Sequence, residues 1–93
     1  MTMLLEIACF NFESALIAER SGADRIELCE NYSVGGITPN VELIRKVKSE
    51  IKIPVHVMIR PRGGNFIYSE SEFEEMSKSI QQCKDLGADG IVF

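Results

Sequence analysis

The sequence predicts an α/β protein built from parallel (β/α) units, on three observations. Strand-like and helix-like segments alternate along the chain, an order that calls for a parallel sheet with crossover helices. Each predicted strand divides into an aliphatic face and a face carrying ionisable groups. The pattern Gly-Ala-Asp-x-Ile occurs twice, at Gly22–Ile26 and Gly87–Ile91, each time between a helix end and a strand start. A helix end, a tight turn and a strand start that recur with the same residues indicate a repeated barrel unit. An open doubly wound sheet is the alternative with the same alternation.

Leu4–Phe10 is a short apolar run that reads as a first strand. Asn11 caps a helix carrying Phe12, Ala15, Leu16 and Ala18 at helical spacing, and Gly22 ends it. Arg25–Cys29 alternates with period two and forms the second strand. Thr38-Pro39 predicts the start of a second helix, a cap followed by proline at the first helical position. Val41, Ile44, Val47 and Ile51 form its apolar stripe. Pro54–Arg60 is the third strand, and Arg62–Tyr68 is a glycine-bearing loop. Ser69-Glu-Ser-Glu72 fits the capping box of a third helix, with Phe73, Met76, Ile80 and Cys83 on its inner face and Gly87 closing it. Glu70, Glu72, Glu74 and Glu75 then read as a solvated helix start, favoured there by the helix dipole. A fourth strand begins at Asp89.

With 45% hydrophobic and 26% charged residues, the composition excludes disorder and collagen-like repeats. No stretch reaches the ~18 consecutive apolar residues of a membrane span. A net charge of -4 argues against nucleic acid as a partner. The N-terminus lacks a signal-peptide pattern, so a cytoplasmic protein is expected. Cys9, Cys29 and Cys83 form no Cys-x-x-Cys pair, and read as reduced, mostly buried thiols.

Strand faces locate the chemistry. Arg25, Glu27 and Cys29 share one face of the second strand, and His56, Met58 and Arg60 share one face of the third. Glu6 and Ala8 lie on the corresponding face of the first. An ordinary buried parallel strand is apolar on both faces, so these groups are expected to line an interior and to pair with one another. Cys29, Met58, Arg60 and Arg62 lie toward the C-terminal strand ends, where barrel sites are built.

Two chemistries fit. Cys29, His56 and Met58 offer thiolate, imidazole and thioether on neighbouring strands, the ligands that copper(I) prefers. Alternatively, Arg60, Arg62 and the amides of Gly63 and Gly64 hold a phosphate or carboxylate. Glu27 or His56 would then act as acid or base in a small-molecule enzyme.

Several stretches match a known family: Ser21–Cys29, Gly35–Pro39, Pro54–Gly64 with its His-Val-Met-Ile-Arg-Pro-Arg-Gly-Gly run, Phe66-x-Tyr-Ser69 and Leu86–Phe93. In these the chain resembles the CutC copper-homeostasis family over nearly its whole length. The resemblance implies a TIM-barrel fold, a cytoplasmic location and a role in copper handling.

A (β/α)₈ barrel takes about 250 residues, whereas this chain has 93. Residues 1–93 are therefore expected to form a single partial domain, an N-terminal half-barrel of four strands and three helices. Either the chain is a fragment, the favoured expectation, or two copies associate through the open sheet edges.

Overall fold

A computed structural model describes residues 3–93. The elements run β1 (Glu6–Cys9), α1 (Phe12–Arg20), β2 (Arg25–Leu28), a 3₁₀ turn (Tyr32–Val34), α2 (Val41–Glu50), β3 (Val55–Met58), α3 (Glu70–Asp85) and β4 (Gly90–Val92). The four strands form one sheet in the order β1-β2-β3-β4, every pair parallel. Each crossover thus moves to the next strand in the same direction. A doubly wound sheet reverses its order part-way, and this one does not. Right-handed crossovers that all step one way place their helices on one face of the sheet.

That face is the aliphatic one. Ile26, Leu28, Val55, Val57 and Ile59 join Ala15 and Ala18 of α1, Ile44 and Val47 of α2, and Met76 and Cys83 of α3 in one core. Each fully buried aliphatic side chain contributes at most about 1.5–3 kcal/mol. Among the described residues no polar or charged side chain is fully buried. The ionisable face of the sheet is half-open.

The helix ends follow local chemistry. Asn11 Oδ1 accepts from the Ser14 amide at 2.7 Å. Ser69 Oγ accepts from the Glu72 amide at 3.2 Å, and Glu72 accepts from the Ser69 amide at 2.9 Å, completing the capping box. The predicted start of α2 needs correction. Asn40, not Thr38, is the cap, and its Oδ1 accepts from the Leu43 amide at 2.8 Å. Both residue types cap well, and a competing bond settles the choice. Thr38 Oγ1 accepts from the Arg60 amide at 2.8 Å while the Thr38 amide donates to the Arg60 carbonyl at 2.9 Å. The threonine fastens the end of β3 instead of starting a helix.

The Gly-Ala-Asp repeat now has a physical account. Gly22 and Gly87 stop α1 and α3 with φ of +96° and +83°, the left-handed region that favours glycine. Two residues later the aspartate clasps the preceding strand. Asp24 donates its amide to the Leu5 carbonyl and accepts from the Leu5 amide at 2.7 Å. Asp89 does the same with Val55, accepting at 2.8 Å. Lys48 Nζ adds an ion pair to Asp89 at 2.9 Å.

The Lys48 ammonium and then the Val55 amide hold the Asp89 carboxyl below its ordinary range. A carboxyl lowered on folding stabilises the fold above its unfolded pKa, and that contribution fades as pH falls through the folded value. Asp89→Asn is therefore expected to cost about 0.5–1 kcal/mol near neutrality. Urea melts should show the gap to wild type closing below about pH 4.

Candidate functional site

The half-open face is organised in rows by the strand register. Glu6 stands beside Arg25 in the first row, where Arg25 Nε meets Glu6 Oε2 at 2.5 Å. Ala8, Glu27, His56 and Gly90 form the second. Met58 and Val92 form the third, at the C-terminal ends of the strands. Cys29 follows β2 directly and continues its ladder, its amide donating to the Cys9 carbonyl at 2.9 Å.

Cys29 and Met58 converge on one backbone position. Gly36 has φ +97°, and a Cβ built there would stand 3.1 Å from Met58 Sδ, 3.3 Å from Phe10 Cε1 and 3.4 Å from Cys29 Cβ. The loop after β2 thus presses bare backbone against the two sulfur residues. Cys29 is fully buried, and its Sγ donates to Glu27 Oε1 at 3.4 Å. Burial, and after it the Glu27 carboxylate, push the thiol up to about 12. The sulfur is held as a protonated thiol at neutral pH, so a metal bound there must displace a proton.

His56 is not brought to that pair. It lies one row below Met58, two residues or roughly 6.6 Å along the strand. Its ring covers Gly90 on β4, where an alanine Cβ would meet Cε1 at 2.9 Å. Cys29 lies on the opposite side of β3. Glu27 is the register partner of His56, which places an acid and an imidazole side by side.

The arginines are engaged by the chain itself. Arg60 Nη1 donates to the Val34 and Gly36 carbonyls at 2.8 and 3.0 Å, and Nη2 donates to the Gly64 carbonyl at 2.9 Å. Its Nε is buried with no partner, and its guanidinium lies 5.0 Å from the Phe66 ring centre. Arg62 pairs with Glu72 at 2.5 Å and donates to the carbonyls of Gly63, Asn65 and Ile67. The glycines at 63 and 64 therefore present carbonyls to the two guanidiniums. The expected pairing of interior charges holds for Glu6 with Arg25; Arg60 takes backbone oxygens instead. Glu72 is shared between the helix cap and Arg62, which lowers its pKa, with the Ser69 amide as the main cause.

Beside these residues a cleft of about 420 Å³ opens at the ends of β3 and β4. Met58, Arg60, Phe66, Tyr68, Met76 and Phe93 line most of it.

The CutC family model matches residues 3–93. The chain belongs to the CutC family. A family protein CutC from Proteus mirabilis is 53% identical over 88 residues, covering 95% of this chain and 35% of the relative. A copper homeostasis protein cutC homolog from Homo sapiens is 53% identical over 90 residues, covering 97% of this chain and 33% of the relative. The crystal structure of CutC from Streptococcus agalactiae superposes with a TM-score of 0.91 at 36% identity, over 99% of this chain and 45% of that one. The chain spans about a third of the length of the curated relatives it matches.

Three contributors to this CutC site lay outside the expected set: Phe10, Gly36 and Phe66. Gly36 carries a weak signal in the sequence, a glycine pair ahead of α2, for which turn geometry alone is a sufficient account. Phe10 follows Ala8 on the same strand face, two residues on. Phe66 sits in a loop, where no periodicity reports the direction of a side chain.

Proposed function

We propose that this protein handles copper(I) as cargo at the C-terminal ends of its strands, with Cys29 and Met58 as the sulfur ligands. The observation that carries the reading is the convergence of both residues on Gly36. A thiolate and a thioether are soft donors, which favour copper(I) over harder ions. His56 shares their sheet face one row below Met58, and it would join as a third donor only if its ring left Gly90. Glu27 lies against the Cys29 thiol and takes the countercharge role when the proton leaves. Membership of a family with copper homeostasis proteins among its members supports the same reading.

The sheet order supports closure into a (β/α)₈ barrel, in which the half-open face becomes an enclosed lumen. The site then lies at the barrel mouth. No helix among the described residues is long and apolar enough to cross a membrane. A reducing cytoplasm keeps Cys29 as the free thiol this chemistry needs.

Copper(I) titration against a chromophoric chelator tests the assignment. Cys29→Ala and Met58→Leu are each expected to weaken binding at least about tenfold, or 1.4 kcal/mol. His56→Ala should weaken it less. Equal affinity in wild type and Cys29→Ala would remove the thiol from the site and overturn the reading.

A further inference from the structure

We propose that the cleft beside Arg60 binds a small organic monoanion with an apolar body, an aryl- or alkyl-substituted monocarboxylate. The inference rests on the cleft and not on the copper reading, although Met58 belongs to both sites, so it is tested on metal-free protein. Its volume of about 420 Å³ falls within the usual range for small-molecule pockets. Its walls are thioether, aromatic and aliphatic, with Arg60 as the one ionised lining residue.

The charge of Arg60 is what selects the ligand. Arg62, two residues on, is neutralised by Glu72 at 2.5 Å. Among the described residues no carboxylate lies within ion-pair distance of Arg60. Its amino groups meet only carbonyl dipoles, which fix the fork without cancelling its charge. One uncompensated cation in apolar walls favours one negative charge over two, and favours an anion over its neutral isostere. The three carbonyl bonds also hold the guanidinium in place before any ligand arrives, which lowers the ordering cost of binding. Phe66 lies against the guanidinium and is 74% exposed, so its ring is free to stack on an incoming apolar group. The position, beyond the carboxyl ends of parallel strands, is where open and closed α/β sheets take their ligands.

Binding of 4-phenylbutyrate and of 4-phenylbutanol to the metal-free protein, followed by calorimetry or ligand-observed NMR, tests the proposal. The acid should bind at least about tenfold more tightly than the alcohol. Arg60→Met should abolish that preference. Arg60 also ties two loops, so Phe66→Ala provides a variant at an exposed ring that leaves the fold intact; it should weaken acid and alcohol alike several-fold. Inorganic phosphate should compete poorly, because it lacks the apolar body. Equal binding of acid and alcohol in wild type, a preference that survives Arg60→Met, no effect of Phe66→Ala, or phosphate binding as tightly as the acid would each overturn it.

Discussion

Alanine at Gly36 is expected to destabilise the protein by about 1–3 kcal/mol and to weaken copper(I) binding at the same time. Two costs combine. The backbone at φ +97° lies where side chains are rarely tolerated, and the added methyl would stand 3.1 Å from Met58 Sδ and 3.4 Å from Cys29 Cβ. Something must shift, and the neighbours available to shift are the two sulfur residues and the Phe10 ring, whose Cε1 would stand at 3.3 Å. Gly35→Ala separates strain from displacement. Its φ is +84°, so the backbone cost is similar, but its methyl would meet Arg60 Nη1 at 3.2 Å and no sulfur residue. Urea unfolding should therefore rank both variants below wild type. Copper(I) affinity should fall in Gly36→Ala and hold in Gly35→Ala. Equal affinity losses in the two would mean that loop strain, not contact with the sulfurs, governs the site.

How much of this was legible in the residues depends on the range of the interactions. The caps at Asn11 and Ser69 and the helix stops at Gly22 and Gly87 were readable because their partners lie within four residues. The two faces of β2 and β3 were readable because alternation is a local property of a strand. Thr38 misled because its hydroxyl bonds a residue on β3, a contact no local pattern announces. Arg60 was legible only in part for a related reason. Its charge announces an affinity for anions, but the acceptors that position it are loop carbonyls, which every residue carries, so side-chain identities do not point to Val34, Gly36 and Gly64. His56 leans toward β4 because position 90 has no side chain. Strand register decides that contact, and the sequence alone left the register open. The Gly-Ala-Asp repeat marked a barrel unit, yet only coordinates reveal that each aspartate clasps the strand before it.

Leu28→Ala is expected to be among the most destabilising single changes in the chain, by about 2–5 kcal/mol, without a matching loss of copper(I) affinity. Leu28 is fully buried, stands between Cys9 and Val57 in the register, and faces the helices. Truncation leaves a cavity in the middle of the sheet that the flanking strands cannot collapse to fill. A chain of this size has a total stability of roughly 5–14 kcal/mol, so the change removes a large share of it. Ile17, 64% exposed on α1, is the control, and Ile17→Ala should stay within about 0.5 kcal/mol of wild type. The neighbouring Cys29 belongs to the opposite face, outside the helix-side core. In a folded Leu28→Ala sample the sulfur pair keeps its surroundings, and affinity should stay within about threefold of wild type. Denaturant melts and copper(I) titrations on one preparation would read both quantities. A large affinity loss in the folded variant would show that helix-side packing sets the geometry of Cys29 and Met58, and that the two faces of the sheet do not act independently.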